Sequence, residues 1–217
     1  MKPYYSDDLV TLYHGDCLEH PELWTCADVL VTDPPYGMAY SSNFAIGKRG
    51  PKIVGDGDTK SRDAVLAAWG DKPGLVFGTW RCPRPESARQ LIVWDKGESP
   101  GMGDLSMPWG PSHEEAYVLG TGFVGKRTGS VIRIPGYGSQ SSDRPDHPTP
   151  KPTTLLAVLL AKCPPGVVAD PFTGSGSTLR AAKDAGRKAI GVEIDERYCE
   201  IAAKRLGQEV LDFGAAS

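Results

Sequence analysis

An α/β fold is predicted: a mostly parallel sheet with helices on both faces. Two observations carry it. From residue 153 onward strands and helices alternate in a regular series, the pattern of βαβ units. Earlier in the chain, short apolar runs such as Val29-Leu30-Val31-Thr32 end in Pro- or Gly-rich segments, as buried strands of a parallel sheet do. The chain's 217 residues suffice for one substantial core, so one domain is expected over 1–217.

The elements follow in order. Val10 to Tyr13 reads as a strand, Cys17 to Leu23 as a helix and Val29 to Thr32 as a strand. Residues 37–60 are rich in Gly, Ser, Lys and Asp without periodicity, which reads as a long mobile loop. Helical pattern resumes over Arg62 to Trp69. Gly74 to Gly78 is a strand, Pro85 to Arg89 a short helix, and Leu91 to Trp94 and Glu115 to Leu119 are strands. Residues 120–150 form a second irregular stretch around a strand at Ser130 to Ile134. The regular series is helix Thr153–Ala161, strand Val167–Asp170, helix Ser177–Ala185 closed by Gly186, strand Lys188–Val192, and helix Asp195–Leu206 with Asp195 as N-cap.

Composition narrows the function. Hydrophobic residues at 40% and charged residues at 24% are ordinary for a globular protein, and no apolar run is long enough to span a bilayer. The N-terminus lacks the apolar core of a signal peptide, so a cytoplasmic location is expected. Five scattered cysteines form no C-x-x-C pair and the four histidines lack ligand spacing, so no metal is expected. Net charge is −3, which does not advertise nucleic-acid binding. Local basic stretches still occur, with Lys48, Arg49 and Lys52 in one loop and Lys126, Arg127 and Arg133 in another.

Three motifs carry chemistry. Asp33-Pro34-Pro35-Tyr36 directly follows the Val29 strand, at the end where ligands of α/β sheets bind. Its carboxylate can accept an N–H, its prolines fix the backbone, and its ring can stack on a base. Together they suit a flat base with an exocyclic amine. Asp170-Pro171-Phe172-Thr173-Gly174-Ser175-Gly176-Ser177-Thr178 joins a strand to a helix through glycines, and Glu193 ends the next strand. Glycines let a ligand approach the backbone, and an acid at that place commonly binds ribose hydroxyls. No Lys stands where a P-loop needs one, and Leu179 replaces the third glycine of a dinucleotide fingerprint. The third motif is His147-Pro148-Thr149-Pro150-Lys151-Pro152, just before a helix.

With these residues in place, the chain resembles the amino-directed DNA methyltransferases, specifically the permuted β group. In that group the Asp-Pro-Pro-Tyr element precedes the Phe-x-Gly-x-Gly loop, as Asp33–Tyr36 precedes Phe172–Gly176 here. His147–Pro152 matches the family's His-Pro-Thr-Gln-Lys-Pro element, with Pro150 in place of Gln, and Gly15-Asp16 matches its Gly-Asp element. The resemblance implies a single Rossmann-like methyltransferase domain with circularly permuted motif order, and S-adenosylmethionine as cofactor. It implies that Asp33, Pro34, Pro35 and Tyr36 hold the target base. It assigns the cofactor to Asp16, Cys17, Asp33, Lys151, Pro152, Asp170, Phe172, Thr173, Gly174, Gly176, Thr178 and Glu193.

The implied reaction is methylation of the N6 amine of an adenine flipped out of duplex DNA, since Asp rather than Ser opens the first motif. An N4-cytosine enzyme, an RNA N6-adenine enzyme and a non-catalytic DNA-binding or cofactor-sensing module are the alternatives. The loops 37–60 and 120–150 are the only candidates for target recognition, which implies a short or relaxed target, with a homodimer as a candidate assembly. Trp80, Trp94 and Trp109 read as core or pocket wall, and Ser112-His113-Glu114-Glu115 as structural.

Overall fold

The computed structural model describes residues 1–36, 58–97, 103–136 and 150–208. Nine strands form one sheet: β1 (Tyr5–Ser6), β2 (Val10–His14), β3 (Val29–Thr32), β4 (Gly74–Gly78), β5 (Gln90–Asp95), β6 (His113–Leu119), β7 (Val131–Arg133), β8 (Val168–Asp170) and β9 (Ala189–Glu193). Four helices accompany them: α1 (Lys60–Trp69), α2 (Thr153–Leu160), α3 (Ser177–Asp184) and α4 (Glu196–Leu206). The spatial order is β1-β2-β9-β8-β3-β4-β6-β5-β7. The run β2-β9-β8-β3-β4 is parallel throughout, and β6 runs antiparallel between β4 and β5. This is the Rossmann-like α/β sheet expected.

Burial follows the pattern of the sequence. The central strands β3, β4 and β8 are buried along their whole lengths, so their apolar runs are continuous. The side chains on one face pack with α2, α3 and α4 around Leu155, Leu159, Leu179 and Leu206. On the other face, Trp24 and Trp69 stack with ring centroids 6.2 Å apart, beside Val65 of α1.

Several expectations need correction. The stretch from Cys17 is not a helix. The Asp16 carboxylate accepts the Leu18 amide at 2.8 Å, and only a short 3-10 turn, Pro21–Leu23, follows. Pro21 lacks an N–H and turns His20 away from helical backbone, so no helix can run through it. Pro85 to Arg89 is one turn, because the Arg89 amide already bonds the Val118 carbonyl and opens β5. Lys60, placed in the mobile loop, begins α1. Trp94 is buried as expected, and Trp80, though 69% exposed, walls a cavity, but Trp109 is 82% exposed because it stands in a connection outside the strands. Asp195 caps α4 as expected, accepting the Arg197 amide.

Candidate active site

Two loops leave the carboxyl ends of adjacent strands, Asp33–Tyr36 from β3 and Pro171–Gly176 from β8. A direct bond joins their bases: the Thr32 hydroxyl donates to Asp170 Oδ1 at 2.7 Å. The sequence's first two motifs are thus brought together by strands more than 130 residues apart in the chain.

The Asp33 carboxylate is held from both sides. The Tyr36 hydroxyl donates to its Oδ1, and the Lys151 ammonium, just ahead of α2, donates to its Oδ2. The Asp33 side chain remains 24% exposed, whereas Lys151 is only 5% exposed. Lys151 stands over the Phe77 ring at 5.0 Å and beside the Tyr36 ring at 5.9 Å. It also meets a residue that sequence reasoning set aside. Glu114 Oε2 lies 3.2 Å from Lys151 Nζ, while its Oε1 accepts from Lys96 at 2.5 Å. Glu114 Oε2 is buried and makes no well-aligned hydrogen bond, so the ion pair alone holds it. Asp33, Lys151, Glu114 and Lys96 form an alternating row of charge.

That row shifts the titrations. Burial pushes the Asp33 carboxyl above its usual range, against the pull of Lys151, and the Glu114 charge adds to the rise. Burial also opposes ionisation of Glu114, but the two ammoniums beside it win and lower its value. Lys151 loses solvation and still gains proton affinity, because two carboxylates face it. Lys151 therefore stays a cation and cannot act as a base.

The second loop is held by its backbone. Gly174 and Gly176 both have positive φ, 51° and 79°, which glycine adopts freely. The Gly174 amide donates to Glu193 Oε2 at 2.7 Å, and the Asp195 amide donates to Oε1 at 2.8 Å. Glu193 is 8% exposed. Burial raises its titration despite these amides. The Gly15 amide bonds the Glu193 carbonyl at 2.9 Å, which brings Asp16 to the same rim. Gly191 permits the close packing beneath: a Cβ there would collide with the Thr173 hydroxyl and with Leu179 at 2.6 Å.

The expected cofactor residues divide by accessibility. Asp16, Asp33, Phe172 and Gly174 stay partly exposed, while Cys17, Pro152, Thr173, Gly176 and Thr178 are buried under the loops. Pro34 is buried and Pro35 half-buried. Asp170 is 2% exposed, and its carboxyl accepts from Thr32, Thr178 and the Phe172 amide. Burial pushes it up to about 7.

The expected DNA-binding cations fare differently. Lys48, Arg49 and Lys52, and His147 to Thr149 of the third motif, lie outside the described residues. Arg133 pairs with Asp95 at 2.7 Å. Lys126 and Arg127 follow β6, whose last residue Leu119 pairs with Gly74 at the start of β4. The Lys126 carbonyl accepts from Lys162, beyond the far end of α2. The reversal of β6 thus carries these two cations to the sheet edge opposite Asp33.

Glu114 was missed because its sequence neighbours give no sign of the site. Antiparallel pairing sets it opposite Trp94, near Lys96, while β6 lies beside β4. The available signal was a pair of acids, Glu114-Glu115, opening a strand that runs into the core.

A parallel α/β sheet with an acid-proline loop and a glycine loop on adjacent strands defines a nucleotide-cofactor enzyme acting at the carboxyl edge. The N6/N4 methyltransferase family, described as DNA methylase, matches residues 60–204, and the chain belongs to it. Among its relatives, the Type II methyltransferase M.ScaI of Streptomyces caespitosus is 26% identical over 96% of this chain and 84% of its own length. The DNA adenine methyltransferase YhdJ of Escherichia coli (strain K12) is 40% identical over 37% of this chain and 28% of its own. In solved structures, the cytosine-N4-specific PvuII DNA methyltransferase superposes with a TM-score of 0.71 at 16% identity, covering 95% of this chain and 89% of that one. M1.HpyAVI in complex with SAM gives 0.65 at 21% identity, covering 92% and 100%.

S-adenosylmethionine is the methyl donor of this family, and the site fits it. The Phe172–Gly176 loop, packed closely on Gly191 of β9, stands next to a buried acid pinned by backbone amides. Among the described residues no group of His, Cys, Asp and Glu could hold a metal, and no helix is long and apolar enough to cross a membrane.

Proposed function

We propose that the protein methylates the N6 amine of an adenine flipped out of duplex DNA, as a member of the permuted β group. The observation that carries this reading is the Asp33 carboxylate. It is partly open to solvent at the end of β3, beside the glycine loop, with its charge balanced by a buried lysine. The order of Asp33–Tyr36 before Phe172–Gly176 supports the permuted assignment.

The residues divide the work. Asp16, Phe172, Gly174 and Glu193 would hold the adenosine of S-adenosylmethionine, with Glu193 accepting from the ribose hydroxyls. Asp170, Thr173, Gly176 and Thr178 support that loop from beneath, and Cys17 and Pro152 pack at its flanks. When bound, the sulfonium supplies an already electrophilic methyl group. The amine's lone pair is the difficulty, because it is delocalised into the ring. Asp33 and the Pro34 carbonyl would accept the two N6–H groups and favour a nitrogen with an available lone pair. Pro35 holds the turn, and Tyr36 offers its ring to the base.

Asp33 must be released to do this. Lys151 can yield Oδ2 to the amine without losing its counterion, since Glu114 already faces it at 3.2 Å. After transfer the nitrogen is cationic and acidic. Asp33, with its titration raised, takes the surplus proton while Lys151 stays charged.

The test is incubation with labelled S-adenosylmethionine and duplex DNA, RNA or protein, followed by digestion and identification of the product. N6-methyldeoxyadenosine is expected, and Asp33→Ala should abolish it while leaving cofactor binding nearly intact. N4-methyldeoxycytidine, a methylated RNA nucleoside, or wild-type activity in the variant would overturn the reading.

A further inference from the structure

Residues 79–89, between β4 and β5, were not among the expected nucleic-acid contacts. We propose that their site-facing end, Trp80, Arg81 and Arg84, grips the sugar–phosphate backbone of the DNA strand beside the target base. This rests on the reading that the substrate is duplex DNA.

The segment is built onto the site. The Cys82 thiol donates to the carbonyl of Tyr36, so the segment is fastened to the base-holding motif itself. One residue further, the buried Arg62 of α1 donates to the Pro83 carbonyl at 2.7 Å. Between and beyond these anchors, polar and aromatic groups face solvent. Trp80 is exposed, and the Arg81 guanidinium stands 5.4 Å over its ring. Arg81, Arg84 and Arg89 are exposed, and none makes an ion pair among the described residues. A cavity of about 400 Å³ lies along the segment, walled by Trp80, Cys82, Arg84, Arg89, Gln90 and Tyr117.

Two carboxylates lie near these cations without forming an ion pair with them: Glu115 lines the cavity and accepts the Tyr117 hydroxyl at 2.5 Å, and Asp104, near Arg81, accepts from the Ser106 amide and hydroxyl. Glu86 is the one acid within residues 79–89, against three arginines.

The chemistry selects a phosphate-bearing partner. Guanidinium forks match phosphate oxygens, and an exposed indole beside a cation offers a flat face to a base or sugar. Position selects the target strand, because the surface is tied through Cys82 to the motif that would hold the flipped base. Lys126 and Arg127 are at the opposite edge and cannot share this strand. Equally exposed but on the far edge, they supply an internal control.

The experiment measures binding of a labelled duplex to the intact protein across a salt series, comparing wild type, R81A/R84A and K126A/R127A. Each lost phosphate contact lowers the log–log salt slope by about 0.9. R81A/R84A should therefore lose about two from the slope and bind more than about tenfold more weakly at low salt. K126A/R127A should stay within about twofold of wild type. Trp80→Ala should remove the fluorescence change on binding. Thermal melting and S-adenosylmethionine binding must match wild type in each variant, which sets misfolding aside. A wild-type slope in R81A/R84A, with wild-type DNA binding intact, overturns the surface alone. Failure of the wild type to bind duplex DNA, or binding confined to RNA, overturns the DNA reading and the surface with it.

Discussion

The two loops that meet over β3 and β8 are held by opposite means. The Phe172–Gly176 loop is fixed by neutral groups: glycines at positive φ, backbone amides on Glu193, and the Thr32–Asp170 bond beneath. The Asp33–Tyr36 loop is fixed by charge, through Lys151, Glu114 and Lys96. Backbone bonding keeps one shape and suits a cofactor bound the same way every turnover. An ionic row can exchange partners, and Lys151 has two carboxylates to choose between. The base-holding loop is therefore the adjustable one, as a site that must admit a flipped base requires.

The largest expected effect tests the neutral side. Asp170 has an ordinary value of 3.8 and is raised to about 7 by burial, so its proton is held more tightly folded than unfolded. The stability this contributes is fully present below the unfolded value and is lost as pH rises through about 7. The full swing is about 4 kcal/mol. Asp170→Asn should remove that pH dependence, so that chemical denaturation of the variant between about pH 4 and pH 8 gives a flatter profile than wild type. Equal slopes in both proteins would mean Asp170 is ionised in its site.

A smaller effect is expected on the charged side. Glu114→Gln leaves Lys96 without its carboxylate and Lys151 with Asp33 alone. Removing one partner of a largely buried pair costs about 2–3 kcal/mol after allowance for its partial exposure. Methyl transfer should slow by about 10- to 100-fold, since Lys151 no longer has a second carboxylate to receive it. Because the Glu114 charge raises Asp33, its loss should move the acid limb of the rate profile to lower pH. A lowered melting temperature with an unmoved acid limb would reduce Glu114 to a structural part.

The smallest effect probes the packing under the glycine loop. Gly191→Ala drives a methyl into Thr173 and Leu179 and should cost about 1–3 kcal/mol. S-adenosylmethionine binding should weaken with it, while the Asp33 row is undisturbed. A wild-type denaturation midpoint would show that this loop is less tightly defined than its backbone bonds imply.

Local signals carried much of this molecule. Apolar runs without alternation marked the buried strands β3, β4 and β8, because burial on both faces leaves no polar side to show. Asp195 announced the start of α4, and Gly174 and Gly176 announced a turn that only glycine makes easily. The Cys17 helix failed because a local hydrogen bond from the Leu18 amide to Asp16 and the geometry imposed by Pro21 overrode weak propensity. Trp109 reads as core or pocket wall because aromatic residues usually are, and local sequence does not reveal a connection that stays outside the sheet.

By itself the sequence determined the class of fold and the two motifs, since strand ends and glycine turns are set by a few neighbouring residues. Strand order was decided only in three dimensions. The antiparallel insertion of β6 places Glu114 among the charges of Lys96, Lys151 and Asp33, and the same reversal sends Lys126 and Arg127 to the far edge. Charge interactions depend on distance through space, and the pairing of strands far apart in the chain sets that distance.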